Sequence, residues 1–336
     1  DLPSAKYSNI KIRDCSNANF LTLIFFEGSL ENVDIKNSSF INPNFKFPLF
    51  LFENANRATV RNVYGENIRG PVLKLTQIVN QKINNFTMND IFSSRELENM
   101  NQNVVQLSRL STIFSIGLEP NEPQVTVVNG FNVNGFHDIN ELNNYQDSND
   151  AYLLVIESEI GEVYIKNSNW HNIQVGSLFS ISMKHLKIDN LFVDSDPLIP
   201  VTQQPWHRVF QFVNIDKLEI SNSVFKNIQN VVLFSLFNID RSTLFSTVDK
   251  ANLTLTNITV LNNTGNYWNA NTTYLGLFVI DSPLKAVQVT FADSEFRNNS
   301  YSNGLIMVLE SYKVDVNLTR NTFDSNRALV GGVVLA

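Results

Sequence analysis

Apolar and polar positions follow a repeated pattern along the chain. Five segments show it most clearly: VDIKNSSFIN from Val33, VYIKNSNWHN from Val163, LEISNSVFKN from Leu218, LTLTNITVLN from Leu253 and VQVTFADSEFRN from Val287. Each alternates apolar and polar residues up to an Asn or Asp, and a second Asn follows five residues later. Alternation with a period of two is typical of a β-strand with one buried face.

Pairs of Asn or Asp at this spacing recur through the chain. The predicted pairs are Asp14/Asn19, Asn37/Asn42, Asn62/Asn67, Asn85/Asp90, Asn129/Asn134, Asn167/Asn172, Asn222/Asn227, Asn257/Asn262, Asp293/Asn298 and Asn321/Asn326, with Asn190/Asp194 as a shorter variant. We expect these residues at corners between strands, because Asn and Asp tolerate the left-handed conformation. Stacked Asn side chains are also expected to hydrogen-bond to one another as a ladder. The first-corner Asn residues are Asn37, Asn62, Asn85, Asn167, Asn190, Asn222 and Asn257.

A second apolar run, such as FLTLIFF or AYLLVIE, precedes each copy, and no long helical pattern intervenes. These features predict an all-β fold: one parallel β-helix (solenoid) domain of about eleven coils over residues 1–336. Loop insertions are predicted near 91–124, 140–150, 194–206, 240–250 and 263–274. One inward column is predicted to contain Phe40, Trp170, Phe225, Val260, Phe296 and Phe323. A sandwich or a propeller is the alternative, but either would require more glycine turns than 13 Gly provide.

The repeat resembles the right-handed parallel β-helix proteins of the pectin-lyase-like class. The last segment, NTFDSNRALVGGVVLA, is similar to the F-x-x-N-x-A-x-x-G-G repeats of polymorphic surface β-helix proteins. The composition, which is rich in Asn, Phe and Ile, resembles that of large extracellular proteins of ciliate-type protists. The resemblance implies a right-handed coil and an extracellular or cell-surface location, but it specifies a fold more than a function.

The composition of the chain argues against several classes of function. The 43% apolar content supports a large core, while charged residues make up only 17% and 48 residues are Asn. The net charge of −7 disfavours nucleic acid as a partner. No apolar run approaches the roughly 20 residues of a membrane span, so none is expected in this segment. Cys15 is the single cysteine, which excludes an internal disulfide.

The sequence offers no catalytic or metal signature. Many proteins of the class that the chain resembles cleave acidic polysaccharides. The hydrolases of that class carry Asn-x-Asp, Asp-Asp, Gly-His-Gly and Arg-x-Lys segments on consecutive coils, and this set is not recognisable here. His137, His171, His185 and His207 each lack a second signature residue. The pairs Asp194/Asp196 and Glu157/Glu159 have too few oxygens for Ca²⁺. We therefore predict no catalytic residue, cofactor or metal.

Two groups of residues are candidates for contact with a glycan. Arg13, Lys36 and Arg61 are expected in one outward basic column, although Asp34 and neighbouring acids would neutralise it. Tyr267, Trp268 and Tyr274 lie in one predicted insertion. An inserted loop often packs its aromatic side chains back on the fold.

Eight N-x-[ST] sequons are present, at Asn37, Asn85, Asn252, Asn257, Asn262, Asn271, Asn298 and Asn317. Because five of them occupy corner positions, N-linked glycans are predicted at Asn252, Asn271 and Asn317 and not at Asn257. The number of sequons matches chance for this composition, so it carries no argument for secretion.

The sequence predicts a non-enzymatic structural or cell-surface module that contributes to a filament, a coat or an adhesive assembly. The chain is expected to be a segment of a longer protein, with other protein chains or further repeats at its open coil ends. A polysaccharide lyase or hydrolase and a glycan-binding module are the alternatives.

Overall fold

The structure is a computed structural model that describes residues 2–17, 24–45, 47–93, 104–109, 125–138, 152–158, 161–173, 178–195, 208–229, 232–237, 250–265, 276–283, 285–301, 303–311, 313–328 and 332–335. All regular elements in these ranges are β-strands. They are β1 (Ser4–Ser8), β2 (Lys11–Arg13), β3 (Ser16–Asn17), β4 (Ile24–Ile41), β5 (Asn44–Phe45), β6 (Phe50–Arg69), β7 (Leu73–Ser93), β8 (Val105–Arg109), β9 (Val125–Asp138), β10 (Leu154–Ser158), β11 (Glu162–Ile173), β12 (Leu178–Asp194), β13 (Arg208–Ser221), β14 (Val224–Lys226), β15 (Val232–Phe237), β16 (Lys250–Thr256), β17 (Thr259–Leu261), β18 (Thr264–Gly265), β19 (Phe278–Ser282), β20 (Ala286–Ala292), β21 (Glu295–Arg297), β22 (Ser300–Tyr301), β23 (Ile306–Ser311), β24 (Val314–Thr319), β25 (Thr322–Asp324), β26 (Arg327–Ala328) and β27 (Val334–Leu335).

Neighbouring repeats pair in parallel. In the described ranges 24 strands form one hydrogen-bonded sheet, and β18, β22 and β26 form a second. A strand pairs with its equivalents one repeat earlier and one repeat later; Leu218, for example, lies between Leu186 and Leu253. The fold is therefore all-β with a long parallel sheet, which is compatible with a β-helix solenoid. The described ranges hold no helix with the length and apolar character of a membrane span.

The inward positions form columns that run from repeat to repeat. The predicted column is confirmed by the strand register, which joins Ile12, Phe40, Gly65, Met88, Val133, Trp170, Val193, Phe225, Val260, Phe296 and Phe323. Trp170 is fully buried, and its Nε1 donates to the carbonyl oxygen of Phe131 at 3.0 Å. The indole is therefore buried without an unpaired N–H, as a stable core requires.

Aromatic rings link these columns into one chain of contacts. Phe86, Phe131, Trp170, Phe210, Phe234, Phe278, Phe291, Phe296 and Phe323 follow one another with ring-centroid distances of 4.4–6.1 Å. Such pairs contribute about 0.5–1.5 kcal/mol each beyond the area that they bury.

The predicted first-corner Asn residues adopt left-handed backbone conformations. Their φ angles lie between 50° and 54° at Asn37, Asn62, Asn85, Asn167, Asn190, Asn222 and Asn257. A left-handed residue turns the chain between two strands, and Asn accepts this conformation because its short polar side chain bonds locally. Left-handed corners also occur at Asn54, Gln77 and Asn214, which the sequence pattern did not indicate.

The predicted corner pairs at both ends of the described chain are wrong by register. In the first repeat Asn9 (φ 59°) occupies the first corner and Asp14 (φ 52°) the second, because Ser8 pairs with Lys36 and Arg13 pairs with Ile41. The predicted pair Asp14/Asn19 therefore takes the second corner for the first, and Asn19 lies outside the described residues. In the last repeat Arg320 (φ 52°) and Ser325 (φ 55°) turn the chain in place of Asn321 and Asn326.

The predicted pair Asn129/Asn134 is also displaced by one residue. Gly130 (φ 67°) and Gly135 (φ 88°) occupy the corners, since glycine adopts positive φ without steric cost. The preceding Asn residues still supply the amide: Asn167 Nδ2 donates to Oδ1 of Asn129 at 2.8 Å. The ladder of amide side chains therefore extends from Asn167 to a repeat that has glycine at its corner.

The Asn side chains at the corners hydrogen-bond between repeats. In this corner ladder, Nδ2 of Asn62 donates to Oδ1 of Asn37 at 3.1 Å, and Nδ2 of Asn257 donates to Oδ1 of Asn222 at 2.8 Å. Asp194 of the shorter variant accepts a bond from Nδ2 of Asn227 at 3.0 Å. Most of these side chains are exposed.

A second ladder lies inside the fold, one residue after the second corner. Asn263 and Asn299 are 0% exposed. Oδ1 of Asn299 accepts from the backbone N–H and from Nδ2 of Asn263, at 3.0 and 3.1 Å. Asn326 accepts the equivalent two bonds from Asn299. We call Asn263, Asn299 and Asn326 the buried ladder; the sequence analysis did not predict it.

The predicted insertions fall mainly outside the described residues. The range 91–124 contains a strand, β8, which pairs with β7 and β10 and so belongs to the repeat. Residues 140–150 lie wholly outside the described ranges, and most residues of 194–206, 240–250 and 263–274 do too.

Candidate functional site

Outward side chains of the strand segment before the first corner form one surface, here called the charged face. Register aligns Ser4–Ser8 with 32–36, 57–61 and 80–84, and it aligns 162–166 with 185–189 and 217–221. Inward residues such as Ile35, Val60 and Ile83 are buried. The alternate positions, for example Asn32, Asp34 and Lys36, therefore point away from the core.

Cationic side chains gather at the N-terminal end of the charged face. They are Lys6, Lys36, Arg57, Arg61 and Lys82, here called the basic patch. Lys36 and Arg61 lie opposite each other in the register, as their shared position in the repeat predicts. One Nη of Arg61 is 3.5 Å from Oδ2 of Asp34, so one acid partly neutralises this pair.

Arg13 does not belong to this patch. It pairs with Ile41, in the strand segment between the two corners, and not with Lys36. The prediction placed it one segment too early because it took Asp14 for the first corner, whereas Asn9 occupies that position.

A second charged group lies further along the same face, where His185 stands between two carboxylates. Its Nδ1 is 3.5 Å from Oε1 of Glu162 in the preceding repeat, and its Nε2 is 3.4 Å from Oε2 of Glu219 in the following one. The imidazole side chain is only 17% exposed. These three residues are called the Glu–His–Glu row. Tyr164 donates to Glu162, and Nζ of Lys217 is 2.5 Å from Oε1 of Glu219.

Both carboxylates of the row are held in the ionised form. The hydrogen bond from the Tyr164 hydroxyl, supported by His185, lowers the pKa of Glu162. The Lys217 ammonium, supported by His185, lowers the pKa of Glu219. The bond to Glu162 in turn raises the pKa of the Tyr164 hydroxyl. The row therefore places an ionised carboxylate on each side of an imidazole, and it has no protonated carboxyl group to donate a proton.

The Glu–His–Glu row was not predicted from the sequence. Its members come from three repeats, and their contact depends on the register between β11, β12 and β13. The sequence carried a signal for part of the row: Glu162 and His185 each stand five residues before a first-corner Asn, and so does Lys217, which contacts Glu219. Equal offsets from a corner place residues in one column.

The other predicted histidines and carboxylates are dispersed. His171 packs against Phe192 at a ring distance of 5.0 Å on the next face. Glu157 lies in β10. His207, Glu159 and Asp196 lie outside the described residues, as does the side chain of His137. In the part of the chain that the structure describes, no group of three or more His, Cys, Asp or Glu could hold a metal ion.

The predicted glycosylation sites divide by position. Asn252 and Asn317 are exposed and point outward from the charged face, in register with Lys217 and Thr290 respectively. Nδ2 of Asn257 already donates a hydrogen bond to Asn222 in the corner ladder. Asn271, Tyr267, Trp268 and Tyr274 lie outside the described residues. Glycans at Asn252, Asn271 and Asn317 stay a prediction.

Comparisons of the chain with protein-family models, with curated proteins and with solved structures found no match. The function of the chain is therefore inferred from the geometry of the repeats and of the charged face.

Proposed function

We propose that the chain is a right-handed parallel β-helix of about eleven coils that serves as a non-enzymatic structural module of an extracellular or cell-surface assembly. The observation that carries the proposal is the inward column from Ile12 to Phe323, which keeps one register through the described strands. A fold whose repeats contact only their neighbours gains length without losing its core.

Three kinds of contact support a rigid rod. Parallel backbone pairing joins each repeat to the next, aromatic rings touch from Phe86 to Phe323, and amide ladders add side-chain hydrogen bonds between repeats. All three cross the boundaries between repeats, so bending the rod would break them together. This stiffness suits a filament, a coat or an adhesive layer better than it suits a hinged enzyme.

A polysaccharide-cleaving enzyme is the second candidate, and the Glu–His–Glu row is the observation that favours it. Glycosidic cleavage by two carboxyl groups needs one of them protonated, which requires a raised pKa. In this row the pKa values of Glu162 and Glu219 are both lowered. The row is better explained as a set of polar side-chain contacts that links three repeats.

Activity and localisation assays test the proposal together. The protein is incubated with pectate, alginate, chitin and xylan, and new reducing ends and unsaturated uronates are measured. We expect no product above that of the Glu162→Gln/Glu219→Gln variant, and we expect antibodies to label the surface or the matrix of the source cells. Product that the wild type releases and the double variant does not would overturn the structural proposal in favour of the enzyme. Exclusively intracellular labelling would overturn its location.

A further inference from the structure

The basic patch is unusual for a chain with a net charge of −7. Its five cations share four consecutive rows of the charged face with a single acid, Asp34. The other outward positions in these rows are uncharged and polar: Ser4, Ser8, Asn32, Thr59, Asn80 and Asn84. The local charge is therefore opposite in sign to that of the whole molecule.

The geometry of the strands fixes the size of this patch. Neighbouring repeats lie about 4.8 Å apart, and outward residues in one strand are about 6.6 Å apart. Four rows of three positions thus cover roughly 14 Å by 13 Å. Lys6, Arg57, Arg61 and Lys82 are exposed and Lys36 is half-buried, and the sheet beneath holds their backbones in fixed relative positions.

We propose that the basic patch binds a linear anionic polysaccharide, recognised through carboxylate or sulfate groups that lie against successive repeats. An extended polymer with regularly spaced anions matches cations that recur at the spacing of the repeats, and neutralising several of them at once releases bound counterions. Hydroxyl and amide side chains between the cations, such as Thr59 and Asn80, suit the hydroxyl groups of a sugar chain. The proposal deepens the structural role by naming a partner, and it rests on that role for an extracellular setting.

Two other polyanions fit the patch less well. Single-stranded nucleic acid is usually held by aromatic side chains on which its bases stack, and membrane surfaces are held by cations together with inserted apolar groups. The twelve outward residues of these four rows, all of them described, include no aromatic or aliphatic side chain. The patch therefore offers charge and hydrogen bonds only.

The test measures binding to immobilised polygalacturonate, dextran sulfate, neutral dextran, single-stranded DNA and phosphatidylserine vesicles, at low and at physiological ionic strength. Lys6→Glu/Lys36→Glu/Lys82→Glu reverses the charge of three of the five cations, so that acidic side chains outnumber Arg57 and Arg61 in these rows. Arg297→Glu/Lys313→Glu/Arg327→Glu is the matched control, because it changes the net charge equally at exposed residues outside the patch. A Lys→Gln version of the patch variant separates loss of binding from loss of folding, which circular dichroism monitors.

We expect the wild type and the control variant to bind one or both acidic glycans in a salt-dependent manner, and both patch variants to lose at least about tenfold in affinity. Preference between polygalacturonate and dextran sulfate identifies carboxylate or sulfate as the recognised group. Equal loss in the control, unchanged binding by a folded Lys→Gln variant, binding of neutral dextran, or binding of DNA or vesicles alone would overturn the proposal. Cleavage of a polysaccharide by the wild type would overturn the proposed structural role, but it would not affect the conclusion about glycan binding by the basic patch.

Discussion

The same interior column is filled in two ways in two regions of the molecule. One residue after the second corner, the earlier repeats have Ile68, Ile91, Phe136 and Ile173, all buried. The later repeats have Asn263, Asn299 and Asn326. Both sets face the core, so the difference between apolar and amide side chains must be explained by the backbone around them.

The backbone does differ. Strands β6 and β7 run without a break through both corners of their repeats. In the later region the strands stop at each corner, as β16, β17 and β18 show. The N–H of Asn263 therefore bonds to a side-chain oxygen of Asn299 rather than to a strand carbonyl. Polar side chains enter this core where the backbone leaves hydrogen bonds unmade, because a buried N–H without a partner is costly.

Ile91→Asn should have the largest effect, because it places an amide where strand pairing already satisfies the backbone. Ile91 is 0% exposed, and burying an unpaired amide in place of an aliphatic side chain should cost about 4 kcal/mol of unfolding free energy. Denaturant unfolding measures this cost, and Ile91→Val, at about 1 kcal/mol, is the control. A cost for Asn no larger than that for Val would mean that the two regions do not differ in the way described.

Asn299→Gly should destabilise the protein by about 3 kcal/mol, since it leaves the N–H of Asn263 and the carbonyl of Val260 without their bonds. Asn298→Gly is the matched control. Asn298 is the exposed neighbour at φ 53°, where glycine fits the backbone, so its cost should stay below about 1 kcal/mol. Similar midpoints of chemical unfolding for the two variants would contradict the distinction between the buried and the corner ladder.

Asn257→Ala should cost about 1–2 kcal/mol, and Asn257→Gly should cost less. The corner requires φ 52°, which is strained for alanine and free for glycine. The hydrogen bond to Asn222 is lost in both variants, so the difference between them isolates the backbone strain. Thermal unfolding of the two variants measures this strain. Equal melting temperatures would show that only the lost hydrogen bond to Asn222 affects stability and that the backbone conformation does not.

Asp189→Asn should make the stability of the protein depend less steeply on pH in the acid range. Asp189 accepts bonds from the Ser221 hydroxyl and from Nδ2 of Asn222, and these bonds lower the pKa of its carboxyl. Its stabilising contribution is therefore present above about pH 4, the ordinary Asp pKa, and is lost as the pH falls through the lower folded value. Unfolding midpoints measured between neutral and acid pH should fall less steeply for the variant. Parallel curves would rule out a role for this carboxylate.

Much of the fold could be predicted because one physical requirement recurs. A left-handed corner favours Asn, Asp or Gly, and the alternation around Asn62 or Asn257 marks the strand on either side. The pattern misled where another residue took the corner: Gly130 stands beside Asn129, and Arg320 beside Asn321. Counting Asn alone cannot distinguish the turning residue from its neighbour.

The buried ladder and the Glu–His–Glu row depend on contacts between repeats, which a pattern within one repeat does not contain. No role was predicted for Asn263 or Asn299, although the doubled Asn in 262–263 and 298–299 was a usable signal. His185 meets its two glutamates only when the register across three strands is known. Loop insertions of unequal length hide that register in the sequence.

A double-mutant cycle between Asn263 and Asn299 tests most directly whether an interior amide ladder couples neighbouring repeats. Unfolding free energies are measured for Asn263→Ala, Asn299→Ala and the double variant, with Asn222→Ala and Asn257→Ala as the cycle for an exposed rung of the corner ladder. We predict a coupling of about 1–3 kcal/mol for the buried pair and less than about 0.5 kcal/mol for the exposed pair. Additive effects in the buried cycle, within about 0.5 kcal/mol, would contradict the ladder as a link between repeats.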